Sequence, residues 1–217
     1  MIQIVTDIHS NRLVYVLDFV FNQILKTGYT ICNANEITSS KPIIYYGSHL
    51  DTNQKITFRP LDIIKESNQI DTQNIEIVSN IVRPWLDGIW NSASMDPFGV
   101  IFCFLSRYEE YLERKIGDKW NRFLAVDSKL HQLSPDEPIV DMMVLWIKSQ
   151  LLDAYPGYIF PETNGYHVIS TIDIDQAWAF KNKGWRNMLT LSKSMIKFDL
   201  GRTSNQLAVV SGRMKDP

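Results

Sequence analysis

Apolar residues recur along this chain in blocks whose spacing changes from place to place. Residues 2–5, I-Q-I-V, form a short apolar run that predicts a buried strand, closed by the polar stretch T-D-I-H-S-N. From 12 to 26 the residues Leu13, Val16, Leu17, Val20, Phe21, Ile24 and Leu25 return at intervals of three and four, which places them on one face of a helix. Ser10 or Asn11 can cap that helix, and Gly28 can stop it. Two further compact apolar runs, residues 29–32 and P-I-I-Y-Y-G at 42–47, are predicted strands. Strand, helix, strand, strand in this order predicts an α/β layer (α/β or α+β in class), a mixed sheet with packed helices.

Between 48 and 94 the pattern weakens. Ile56 and Phe58 alternate with polar neighbours, as do Ile75 and Ile77 more loosely, so short strands or irregular insertions are expected, and residues 67–74 read as exposed. A firm helical pattern follows over 96–112. Asp96 is its cap, Pro97 its first residue, and Phe98, Ile101, Phe102, Leu105 and Leu112 its inner face. Another helix is predicted over 139–152, with Val140, Met143, Val144, Ile147 and Leu151 inward. The Pro- and Gly-punctuated stretch A-Y-P-G-Y-I-F-P at 154–161 reads as a linker or domain edge. Residues 166–172 then alternate as a strand would, delivering Asp173 and Asp175 at its carboxyl end. Polarity rises beyond Trp178, and residues 204–217 are too few for a domain of their own.

With 217 residues, 45% apolar and 21% charged, the chain can bury a sizeable core. Its net charge of -2 argues against a broad nucleic-acid surface, and the nearest basic cluster, K-N-K-G-W-R at 181–186, is short. Cys32 and Cys103 have no C-x-x-C spacing, so neither a zinc knuckle nor a redox motif is indicated, and two buried thiols in a reducing compartment is the plainer expectation. No secretory leader and no membrane-length apolar run is visible, so a cytoplasmic location is expected.

The chemistry worth testing is in T-I-D-I-D-Q-A-W, residues 171–178. One aspartate of such a pair can offer an oxygen to a metal while the other takes a proton from water. A catalytic zinc ordinarily needs three protein ligands, and His167, at the far end of the predicted strand, would stand about 26 Å from Asp175 if that strand ran straight. Acids at a strand end also cap helices and close turns, which is the structural alternative.

Residues 171–184, T-I-D-I-D-Q-A-W-A-F-K-N-K-G, resemble the opening motif of the polysaccharide deacetylases, carbohydrate esterases of the NodB type, in the variant found in bacterial proteins with an extra N-terminal domain. The resemblance implies Asp173 as general base and Asp175 as ligand of a divalent metal, zinc or similar. The family motif has adjacent acids and a glycine, whereas Ile174 separates the acids here and Gln176 follows. The stretch M-D-P-F-G-V-I-F-C-F-L-S-R-Y-E-E-Y-L at 95–112 is similar to the domain that precedes such catalytic domains. The second metal motif of the family, two histidines four apart, is absent from this sequence. The resemblance therefore implies an N-terminal accessory domain over 1–165 and, over 166–217, the incomplete start of a deacetylase-like barrel. Such a chain would be inactive alone and would hold no cofactor itself, its partner being a downstream catalytic domain and its substrate a carbohydrate.

Arg107, Glu110 and Tyr111 invite a second hypothesis. On a continuous helix Arg107 would share a face with Tyr111 and pair with Glu110, a network that could lock helix to sheet or read a ligand. The six tryptophans raise glycan stacking, although core packing is the commoner use of such rings. A glycan- or protein-binding module and a ligand-free scaffold are thus the alternatives to a deacetylase accessory domain.

Overall fold

The computed structural model describes residues 1–38, 40–47, 54–65, 72–89, 95–112, 118–120, 122–133, 136–162, 167–173 and 178–216. The chain divides into two compact units, Met1–Asn164 and Gly165–Pro217.

The first unit is α/β. Its sheet has the order β2-β1-β3-β4, made of β1 (Ile2–Thr6), β2 (Tyr29–Cys32), β3 (Ile43–Tyr46) and β4 (Thr57–Phe58). Every pairing is parallel: Ile4 stands opposite Ile31 on one side and Ile44 on the other, and Tyr46 opposite Phe58. A central parallel strand is covered on both faces, and all five residues of β1 are buried accordingly. Its one amide, Gln3, is satisfied by accepting the Thr38 N–H at 3.0 Å.

The helix after β1 starts where the sequence predicts. Ser10 caps α1 (Asn11–Leu17), accepting the Leu13 N–H at 3.1 Å, and its hydroxyl donates to the Ile64 carbonyl at 2.6 Å. The helix does not continue as α. Asp18–Ile24 is a π-helix, whose wider turn brings Leu25 onto the buried side with Val20 and Phe21. It stops at Lys26, which takes φ 51, and not at Gly28. The Thr27 N–H closes the end on the Phe21 carbonyl at 2.8 Å.

Residues 73–86 correct the expectation of short strands. They form α2 (Gln73–Leu86), burying Ile75, Val78 and Val82 on one face while Ile77 is exposed. Asn74, expected at the surface, is buried and donates to the Tyr108 hydroxyl at 3.2 Å. Next, α3 (Pro97–Leu105) is capped by Asp96 as predicted but ends about two turns early. Arg107 lies in the left-handed region at φ 52, and Tyr108–Tyr111 forms a separate 3-10 turn that buries Tyr108. The short α4 (Lys129–Leu133) and the long α5 (Ile139–Ala154) follow; α5 buries Met143, Val144, Ile147 and Leu151. Phe98 stands at the centre of the core, in ring contact with Phe21, Tyr46 and Phe58. The 154–161 stretch packs onto this unit and is not a free linker. Tyr158 meets both the Thr27 hydroxyl and the Met1 amino group, and Tyr155 donates to the Ile43 carbonyl.

In the second unit the predicted strand does not form among the described residues. Residues 167–173 make no ladder, and Val168, Ile169 and Ile172 are 74%, 84% and 80% exposed. Further along are two helices unmarked in the sequence reading, α6 (Trp185–Ile196) and α7 (Leu200–Val210). The Asp216 carboxylate gathers the backbone N–H groups of Ala179, Phe180 and Lys181. Burial alone would raise its pKa, but those three amides outweigh it and hold it low.

Candidate functional site

The break after α3 builds a cleft. Because the helix breaks at Arg107, the following 3-10 turn sets Glu109 and Glu110 facing α4 and the start of α5. Between them lies an open cavity of about 420 Å³. Cys103 and Phe104 contribute from α3, Leu130 and His131 from α4, and Ile139 and Val140 from α5. Arg107, Glu109, Glu110, Glu137 and Asp141 supply its charged positions.

These acids are not equivalent. Glu109 is committed to structure, accepting the Ser128 hydroxyl at 2.7 Å and the Lys129 N–H at 2.7 Å, which ties the start of α4 to the 3-10 turn. Glu110 is ion-paired with Arg107. Glu137 and Asp141 are exposed at the mouth. The Cys103 thiol is pushed up to about 12 by its burial and by the charge of Glu109, so it is a packing group and not a nucleophile near neutral pH. Burial likewise raises Cys32, and both cysteines are free.

Arg107 and Glu110, paired from sequence, do come together, but the pair is at the surface: the Arg107 side chain is 71% exposed. Tyr111 is exposed and does not share a helical face with Arg107, because no helix joins them. The network expected to lock helix to sheet or read a ligand is therefore corrected to a surface pair on a turn. Asp173 is exposed at the end of the unpaired segment, and Asp175 lies outside the described residues. Among the described residues no three His, Cys, Asp or Glu side chains are gathered closely enough to hold a metal ion. Among the described residues Asp173 thus has no set of companions that fits one. Of the tryptophans, Trp85 and Trp146 pack against the core, with Trp146 5.7 Å from the Phe58 ring. Trp120 is exposed and lies under the Lys119 and Arg122 cations, while Trp90 is outside the described residues.

Sequence reasoning missed His131 and Glu137 as cleft residues. No local pattern marks them; α4 and the entry to α5 are brought to the 3-10 turn by tertiary packing alone.

A family model described as a family of unknown function (DUF7033) matches residues 2–156. The chain belongs to the DUF7033 family. The match spans the parallel sheet, its helices and the cleft, so the α/β unit is the DUF7033 part of the molecule, while Asp173 and the α6–α7 pair lie beyond it. No curated protein and no solved structure matches the chain. Among the described residues no DUF7033 helix, and no helix elsewhere, is long and apolar enough to cross a membrane.

Proposed function

We propose that the chain combines a DUF7033 accessory unit with the opening acids of a metal-dependent carbohydrate deacetylase, whose centre is completed by residues beyond this chain. One observation carries the reading. An alternating apolar segment leads to Asp173, and its Val168, Ile169 and Ile172 side chains are left in solvent with no ladder on either edge. Parallel strands of that composition are stable only when covered on both faces, so the segment calls for neighbouring strands. An exposed Asp173 carboxylate is suited to accept a proton from water once such neighbours enclose it. The acids at 173 and 175, with the 171–184 motif, supply the substrate class through the resemblance already described. A cytoplasmic setting accords with two free, buried thiols.

The test is acetate release from N- and O-acetylated glycans by a polypeptide extended past Pro217, with zinc supplied. Activity is expected in the extended protein and absent from the 217-residue chain. Asp173→Asn should lower it about 100-fold or more without moving the melting temperature. No acetate from the extended protein overturns the reading.

A second reading is favoured by the cleft. An apolar floor with Arg107, Glu110, His131 and Asp141 around it suits a small hydroxyl-rich ligand such as a sugar, making the DUF7033 unit a binding module. A saccharide panel should then raise the melting temperature of the chain, and Asp141→Ala should abolish the rise. No shift with any saccharide leaves the unit as a scaffold.

A further inference from the structure

The α6–α7 pair is built inside out. Its two helices meet through polar side chains: the Ser194 hydroxyl lies 3.0 Å from that of Thr203, and the buried Gln206 amide donates to the Asn187 carbonyl at 2.9 Å and the Thr190 hydroxyl at 3.0 Å. Val209 of α7 is buried beside them, but most of the apolar side chains of α6 point the other way. On α6, Trp185, Met188, Leu189, Met195 and Ile196 are 51–78% exposed. With 3.6 residues per turn they fall within about a third of the circumference, a single stripe. At the corner between the helices Phe198 is 85% exposed and is held at φ 54, a left-handed conformation unusual for a bulky residue. A contiguous apolar face of this kind on a water-facing surface marks a place that something covers.

Charge says what covers it. Residues 165–217 carry eight of the 22 Lys and Arg side chains but only four of the 24 acids, a net +4, whereas residues 1–164 carry -6. On α6 the cations are not scattered. Arg186 and Lys193, with Lys197 at the cap just past the helix, fall on one line along the border of the apolar stripe. An amphipathic helix with an aromatic and aliphatic face, low mean hydropathy and a bordering row of Lys and Arg has the chemistry of the lipid–water interface. The apolar stripe enters the acyl boundary while the cations meet anionic headgroups. A covering protein domain would supply apolar surface for the stripe without requiring a row of cations along its edge.

We propose that the α6–α7 pair is a membrane-surface element that lies on anionic phospholipid bilayers, with the exposed α6 stripe and Phe198 inserted and Arg186, Lys193 and Lys197 at headgroup level. It uses neither Asp173 nor Asp175, so its test is separate from that of the deacetylase reading, although residues completing a barrel would compete for the same α6 face.

The test is flotation of the 217-residue chain with vesicles of phosphatidylcholine alone and of equal parts phosphatidylcholine and phosphatidylglycerol. Binding is expected to the mixed vesicles only, and to weaken as salt is raised. The double variant Lys193→Glu/Lys197→Glu should lower it about tenfold or more. Ile196→Ser/Phe198→Ser should lower it likewise. All four side chains are exposed, so both variants should keep the circular dichroism and melting of the parent. Equal binding to both vesicle types, no binding, or indifference to either double variant overturns the proposal. So does a dimer in sedimentation that Ile196→Ser/Phe198→Ser dissociates in a chain that ignores vesicles, which would make a second copy the occupant. Acetate release plays no part in this measurement, so either reading can fail while the other stands.

Discussion

Asp96 does several jobs at once. Fully buried, it accepts the Gly99 N–H at 3.0 Å as the cap of α3, the Leu61 N–H at 2.7 Å and the Tyr46 hydroxyl at 3.0 Å, joining helix, loop and the end of β3. Burial lifts its pKa from 3.8 to about 6, against the pull of those donors. The folded state therefore holds this proton longer than the unfolded chain does. Its contribution to stability is complete below about pH 4 and is lost as pH rises to about 6, by up to about 3 kcal/mol. Asp96→Asn should flatten that part of the stability-against-pH curve relative to the parent, measured as urea midpoints at several pH values. An unchanged curve would mean that the carboxylate is ionised throughout. The adjacent glycine has a steric reason: a Cβ at Gly99 would run into the Asp96 carboxylate, so Gly99→Ala should cost about 1–3 kcal/mol. The cap itself was legible, because an acid before Pro97 announces one. Its burial was not, because Tyr46 and Leu61 arrive from segments far away in the sequence.

Single elements show where periodicity suffices and where it fails. α1 and α5 were legible because their apolar stripes face the core. Residues 73–86 were misread because Ile75 and Ile77 imitate alternation, whereas Ile75, Val78 and Val82 carry the buried face. Residues 167–172 alternate well, yet alternation is only half of a strand; the other half is a neighbour to pair with, which no local pattern supplies. The break at Arg107 was hidden inside an unbroken amphipathic run, and it can be tested directly. In an ordinary helix glycine is less stable than alanine by about 1 kcal/mol. At φ 52 that order reverses, so Arg107→Gly should exceed Arg107→Ala in stability by about 1 kcal/mol. Arg107→Ala itself should cost under about 1 kcal/mol, because its ion pair with Glu110 is a surface one. Alanine proving the more stable of the two would restore the continuous helix and with it the shared face of Arg107 and Tyr111.

At the scale of the molecule, the two units differ in how they hold themselves together. Met1–Asn164 has a core running from Ile2 to Leu151, and its ends are tied to each other where Tyr158 meets Met1 and Thr27. A unit of that size buries enough apolar surface to fold by itself. Gly165–Pro217 keeps most of its apolar side chains outside, Val209 apart, and is closed largely by polar contacts, Asp216 on three amides and Gln206 between the helices. Cooperative unfolding should therefore belong to the first unit. A fragment ending at Asn164 should melt in one sharp transition, and residues 165–217 alone should lose helicity gradually. Thermolysin, which cuts before large apolar residues, should act first at Val168, Ile169 and Ile172, where the backbone has no ladder and the side chains stand in solvent. The product would be the α/β unit, resistant to further digestion. If instead the Asn164 fragment unfolds without a sharp transition, or the first cuts fall inside the parallel sheet, then the α/β core is not closed by its own residues and residues 165–217 are part of what stabilises it.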